Sequence, residues 1–372
     1  MKKLTAIIGR TLINADKLLL AVVIGVSALS ITLLAGLASA DFVQWRSVEV
    51  QAIATGLGIC GALFVSAFDP DDLANLWRLY LPPVILLMLA TYVWGTGRPG
   101  SDNISWLDLG FTNVQPSEFL KIGFIMSFAH HLGKVHDELD NPKTMLLVLC
   151  HGALPVLMVL LQSDDGVTLI MAGIVCAMLF MAGFSKKLIL AGLSALVVGL
   201  PIIWFGVMSD FQRQRFMVVW DRDLDPQGMG YQQLRGLTAM GSGQVFGNGI
   251  FTDSHIYVPE NYNDFIFTFL GESLGFVGCF LLIVALALIC GRILQTGIMS
   301  KSYTGKYICV GVFAMIAIQA VINISMCLMI MPVIGVTLPL MSAGGSSVLS
   351  TYAGIGLVLS VYAANNKNMF SN

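Results

Sequence analysis

The sequence is short of charge. Only 11% of its 372 residues are Asp, Glu, Lys or Arg, against about 25% in an ordinary water-soluble domain. That scarcity excludes a water-soluble globule. The net charge is −2, so no cationic field marks the chain for nucleic acid. Cysteine is sparse and placed for packing. Cys60, Cys150, Cys176, Cys279, Cys290, Cys309 and Cys327 all fall in apolar runs, and none has metal-ligand spacing. No polar block sets apart a second, soluble domain, and no internal repeat supports an inverted-repeat transporter. Residues 1–372 read as one membrane domain.

What the chain has is apolar sequence: 56% of residues are hydrophobic, with a mean hydropathy of +0.80. A membrane helix needs about 20 such residues. Ten stretches qualify: 18–38, 50–68, 77–94, 116–132, 144–162, 166–183, 187–208, 266–290, 307–331 and 338–363. The expected fold is all-α and polytopic. The run from Leu18 to Ala38 is too long for the core of a signal peptide and reads as a retained first span.

Lys and Arg set the orientation. With the N-terminus in the cytoplasm, the outer segments hold Arg46, Arg98, Arg213, Arg215, Arg222 and Arg235. Lys121 lies within a span, and every other Lys and Arg, from Lys2, Lys3 and Arg10 through Lys186 and Lys187 to Lys367, falls inside. Both termini are therefore expected in the cytoplasm. The connection of residues 209–265, between the seventh and eighth spans, is then a long extracytoplasmic loop. A connection of that length is expected to be structured or functional. Its glycine-rich run "GMGYQQLRGLTAMGSGQVFGNG" lacks the spacing of a phosphate-cradling loop and reads as turns and half-helices.

Ionisable groups in or beside spans are costly and are candidates by default. Glu118 and Lys121 in "QPSEFLK" share one helix face and can neutralise each other. Glu118 also suits a first helical turn after Pro116. Asp164 and Asp165 in "QSDDG" read, on spacing alone, as a solvated tight turn with Gly166 supplying the bend. Asp264 ends the long loop and opens a glycine-bearing span, so it suits a helix cap or a catalytic group. His130 and His131 read as an interfacial pair without a ligand pattern. "LPLMSAGGSSVLS" reads as small-residue packing or a hydroxyl-lined groove.

Taken in order, "DLGFTNVQPSEFLK", "QSDDGVTLIMAG", "GYQQ", "GSGQVFGNG", "VPENYNDFIFTFLGESLGFVG" and "LPLMSAGGSS" resemble the SEDS family (shape, elongation, division and sporulation) across most of the chain. The resemblance implies a peptidoglycan glycosyltransferase of the bacterial cytoplasmic membrane that polymerises lipid II on the outer face. It implies Asp264 as the general base. It places Gln115, Glu118, Lys121, Asp164, Arg215, Tyr231, Gln232, Glu260, Ser346 and Ser347 around the substrate, with Lys121 near the diphosphate. The implied partners are lipid II, the growing glycan strand and a class B penicillin-binding protein. No cofactor is required by the pattern, and a divalent Mg or Mn ion is left open. The chain departs from the family at Ser163 and Asp165, which replace Pro and Leu, and at Arg235, where Gln is usual. It also lacks the basic residues that often precede Trp106. Two other readings compete: a lipid II flippase, and a non-catalytic scaffold for a synthase.

Overall fold

A computed structural model describes residues 15–97, 103–110, 113–184, 194, 197–199, 201–252 and 254–367. Part of the expected seventh span, 187–193, 195, 196 and 200, lies outside the described residues, as do Lys2, Lys3, Arg10, Arg98, Lys186 and Lys187; its residues 201–207 are helical. The described chain is helical apart from one small antiparallel hairpin. Its helices are α1 (Lys17–Ser39), α2 (Trp45–Val65), α3 (Pro70–Asn75), α4 (Trp77–Trp94), α5 (Pro116–Lys134) and α6 (Pro142–Leu160). They continue with α7 (Asp165–Met181), α8 (Asp210–Trp220), α9 (Tyr231–Ser242), α10 (Ile266–Ile298), α11 (Tyr303–Cys327) and α12 (Gly345–Lys367). Strands β1 (Leu107–Asp108) and β2 (Asn113–Val114) form the hairpin.

Seven of the described helices, α1, α2, α4, α6, α10, α11 and α12, are long and apolar enough to cross a membrane. Helix α5 carries Glu118, Lys121 and Lys134, which lower its hydropathy although its length suffices. Starts follow local chemistry. Pro116 and Pro142 take first-turn positions, where their missing N–H costs nothing. Asp16, Asn141, Asp164 and Ser302 cap their helices with side-chain oxygens. Helices α11 and α12 form the buried centre, and α11 packs on α5, α7 and α10.

Two expectations change. The last span begins at Gly345 rather than at 338, because residues 338–344 form turns. Helix α10 runs on to Ile298 and is broken at Gly275 (φ 64°, ψ −163°), a conformation open in practice to glycine alone. A Cβ there would lie 2.5 Å from the Gly247 nitrogen and the Val245 carbonyl oxygen. The loop turn after α9 is thus seated against the break, donating from Asn248 N to Glu272 O (2.9 Å) and from Gly249 N to Ser273 O (3.0 Å). The long loop is structured, with α8 and α9 inside it.

Candidate active site

Where the chain enters α5, α7 and α10, its connections enclose a polar cavity of about 330 Å³. Four of them contribute. The hairpin segment, bridged between Thr96 and Trp106, brings Asn103, Trp106 and Gln115. The turn before α7 brings Ser163, Asp164 and Asp165. The long loop brings Arg215, Gln232, Glu260 and Asp264. The segment between α11 and α12 brings Val333, Ile334, Gly335 and Thr337. Three lining residues have left-handed backbones: Ser163 (φ 57°), Glu260 (φ 56°) and Gly335 (φ 70°). Such conformations cost energy in non-glycine residues and gather where a site's shape demands them.

Asp264 is 2% exposed and sits on the cavity wall. It is not the helix cap. Helix α10 starts at Ile266 with Phe265 in the cap position. Asp264 instead closes a tight turn built on Glu260, whose carbonyl accepts from Asn263 N (3.1 Å) and Phe265 N (3.0 Å). The turn is held from two sides. Asn323 of α11, fully buried, donates Nδ2 to Asp264 O and to Val336 O, both at 2.7 Å. Ser342 donates to Asn263 O (2.6 Å) and accepts from Leu338 N (2.7 Å). Gly335 packs so close that a Cβ there would lie 3.7 Å from the Asp264 carboxylate Oδ2. The carboxylate is therefore fixed to the same frame as the 333–337 segment opposite.

The turn before α7 is solvated only in part: Ser163 and Asp165 are exposed, as spacing suggested, but Asp164 turns inward. Asp164 is 5% exposed. It caps α7 by accepting from Val167 N (3.1 Å) and also accepts from Gln115 Nε2 (3.0 Å). Burial pushes its carboxyl above the usual carboxylate range. Ser163, not Gly166, takes the left-handed conformation. Gly166 lies inside α7, where a Cβ would come 2.8 Å from Ile334 O, so the glycine admits the 333–337 segment.

Of the residues expected around the substrate, Gln115, Asp164, Arg215, Gln232 and Glu260 line the cavity with Asp264. Gln232 is held by donating to Pro259 O (2.8 Å). Ser346 and Ser347 stand behind the lining. Ser346 accepts from Gln115 N (3.2 Å), and Ser347 pairs with Thr337 (3.0 Å). Tyr231 is outside the lining and 39% exposed. Glu118 and Lys121 lie deeper. Lys121 Nζ is 2.7 Å from Glu118 Oε1, both side chains are buried, and Ser350 donates to Glu118 Oε2 (2.6 Å). Neither lines the cavity, and the lining cation is Arg215. Although Asp164, Asp165, Glu260 and Asp264 share the wall, no three His, Cys, Asp or Glu among the described residues could hold a metal ion.

Sequence reasoning missed Asn103, Asn323 and the 333–337 segment. The only signal for the segment was the Pro332, Gly335 and Thr337 interruption between two apolar runs.

These features define a polytopic helical membrane protein with a carboxylate-bearing polar cavity at one end of its helices. Comparison with known proteins narrows the class. A profile of the FtsW/RodA/SpoVE cell cycle proteins matches residues 11–367. The peptidoglycan glycosyltransferase MrdB of Escherichia coli (strain K12) is 33% identical over 331 residues, 87% of each chain. Stage V sporulation protein E of Bacillus subtilis (strain 168) is 29% identical over 323 residues, 84% of this chain and 85% of that one. A chain of a peptidoglycan synthase complex that coordinates polymerization and crosslinking superposes with a TM-score of 0.77 at 27% identity, covering 94% of this chain and 98% of the other. The rod shape determining protein RodA of Thermus thermophilus gives 0.68 at 27% identity, covering 94% and 96%. The chain belongs to the SEDS family.

Proposed function

We propose that this protein is a peptidoglycan glycosyltransferase that polymerises lipid II at the Asp264 cavity. The observation that carries the reading is a buried carboxylate, held by backbone contacts, in the wall of a polar cavity where the helices end. There an amphiphilic substrate can present its sugars while its tail stays in lipid. The full arrangement has ten spans, both termini in the cytoplasm, the cavity on the extracytoplasmic face of the bacterial inner membrane, and a class B penicillin-binding protein as the crosslinking partner.

In the reaction, the Asp264 carboxylate takes the proton of the acceptor GlcNAc 4-hydroxyl. The alkoxide oxygen bonds to the anomeric carbon of the donor MurNAc. The bond from that carbon to phosphate breaks, undecaprenyl pyrophosphate leaves with the electron pair, and α becomes β. Arg215, in the cavity lining, is the cation that meets the departing diphosphate. Gln115, Gln232 and Glu260 offer hydrogen bonds to sugar hydroxyls.

The test is polymerisation of labelled lipid II by purified full-length protein, with and without the partner synthase. Asp264→Asn keeps the size of the side chain and removes its basicity. It is expected to fold and to lose glycan synthesis by a factor of about a hundred or more. Near-parent polymerisation by that variant would remove Asp264 from the chemistry. Lipid II movement across the membrane without any polymer would favour a flippase.

A further inference from the structure

A second cavity, of about 410 Å³, lies at the other end of α5, between the start of α4, the end of α5 and the middle of α6. Gln115, just before α5, lines the Asp264 cavity, and Lys134 ends the helix. At 1.5 Å per residue its 19 residues put the two cavities on opposite sides of the membrane, about 28 Å apart. The reaction above makes no use of this second site.

The rim carries Arg78, which lies over the Trp77 ring at 5.1 Å, and Lys134. Asp71, on the adjoining α3, already accepts from Ser302 Oγ (2.8 Å). Inside, three histidines converge, and intramembrane ionisable side chains are rarely placed without use. Hydrogen bonds fix the tautomers of His131 and His151. Ser127 has one hydroxyl proton, given to Phe124 O (3.1 Å). Its oxygen therefore accepts from His151 Nε2–H (3.3 Å). His151 Nδ1 is then bare and accepts from His131 Nδ1–H (3.0 Å). That leaves His131 Nε2 as an acceptor. His130 Nε2 is buried and has no hydrogen-bond partner in the protein. The cavity thus offers cationic donors at its mouth and unused imidazole nitrogens within.

Donors at the rim suit phosphate oxygens, and acceptors inside suit hydroxyls. Running away from the mouth, α4 turns Leu79, Leu86 and Val93 outward, 65% or more exposed, as an apolar wall. We propose that this cavity binds the headgroup of an anionic, hydroxyl-bearing phospholipid of the leaflet opposite the Asp264 site, with the acyl chains along α4. The phosphodiester sits between Arg78 and Lys134, and the headgroup hydroxyls reach His131. A free phosphate ester shares the first half of this chemistry but makes no use of the α4 wall.

The test uses full-length protein, delipidated in neutral detergent and titrated by native mass spectrometry. The probes are short-chain phosphatidylglycerol, phosphatidylcholine of the same chain length, and inorganic phosphate. Phosphatidylglycerol is expected to bind about tenfold or more tighter than phosphatidylcholine. Arg78→Gln/Lys134→Gln should abolish that preference, and Arg78→Lys/Lys134→Arg should restore it. Thermal unfolding without lipid reports whether each variant is folded. Displacement by inorganic phosphate would assign recognition to the phosphate alone, whereas its failure to displace would assign it to the whole lipid. Equal binding of the two lipids, or a folded Gln/Gln variant that keeps the preference, overturns the proposal.

Discussion

Asn323 holds Asp264 by its backbone: the Asn323 side-chain amide donates to the Asp264 carbonyl at 2.7 Å, from a helix that is buried along most of its length. The same amide donates to Val336 O, so one side chain joins the turn that presents the carboxylate to the segment that faces it. Asn323 is a positioning residue, because it reaches the reacting groups only through Asp264. Asn323→Leu leaves two buried carbonyls short of a donor, at about 1–3 kcal/mol each. It is expected to cut kcat by about tenfold to a hundredfold with little change in KM. Asn323→Asp is the sharper variant. Its ionised carboxylate cannot donate, but its protonated form can, so its activity relative to parent should rise as pH falls. A flat ratio between the two across pH would show that the amide contributes bulk only.

The buried Glu118–Lys121 pair gives a stability prediction. Losing one partner strands a charge at a cost of about 3–5 kcal/mol, while replacing both with apolar residues is often neutral. Glu118→Leu and Lys121→Met should each unfold at markedly lower temperature in detergent, and the double variant should recover most of the loss. Additive losses in the double variant would show that the two do not act as a pair. If the recovered protein makes no glycan, the ammonium serves substrate as well as fold.

Asp164 makes stability depend on pH. Burial raises its folded-state carboxyl pKa above the unfolded value. The folded protein therefore holds that proton more tightly, and the associated stability is present at low pH and lost as pH rises through the folded pKa. Asp164→Asn cannot ionise and should not show that loss. Relative to parent, its melting temperature should climb as pH rises above the unfolded-state value of about 4. Parallel melting curves for the two proteins over this range would refute the assignment.

Gly275 is expected to tolerate no side chain. Gly275→Ala places a Cβ against the Gly247 and Val245 backbone, in a conformation that costs about 1–3 kcal/mol before any clash is counted. Limited proteolysis at residues 243–250 should speed up in this variant, and glycan synthesis should fall. Unchanged protection would mean that the loop turn does not depend on the break in α10.

Much of the helical frame was legible because its ends carry local signals. The span expected at 77–94 is found at Trp77–Trp94, and those expected at 116–132 and 144–162 start at Pro116 and Pro142. The break at Gly275 was not legible, because the apolar run continues through it and its cause lies nearly thirty residues earlier in the loop. The segment of residues 328–344 also hid. Its Leu, Met and Val composition matches that of a span, and only the donors that reach it from Gln233 and Asn323 show why it stays irregular. Asp264, Arg215 and Gln232 were found through motif resemblance. Their meeting with Asn103 and Thr337 comes from contacts between distant parts of the chain, which no local pattern encodes.

The interlock between the loop turn and the broken helix also bears on how this chain can vary. Gly243 and Gly247 on one side face Gly271, Ser273 and Gly275 on the other, backbone against backbone. At Gly243, Gly247 and Gly275 the atoms met are main chain, so trimming a neighbouring side chain cannot make room for a first substitution there. At this joint a side chain on Gly243, Gly247 or Gly275 would meet main chain, so a change to the path of either face requires the other to be rebuilt with it.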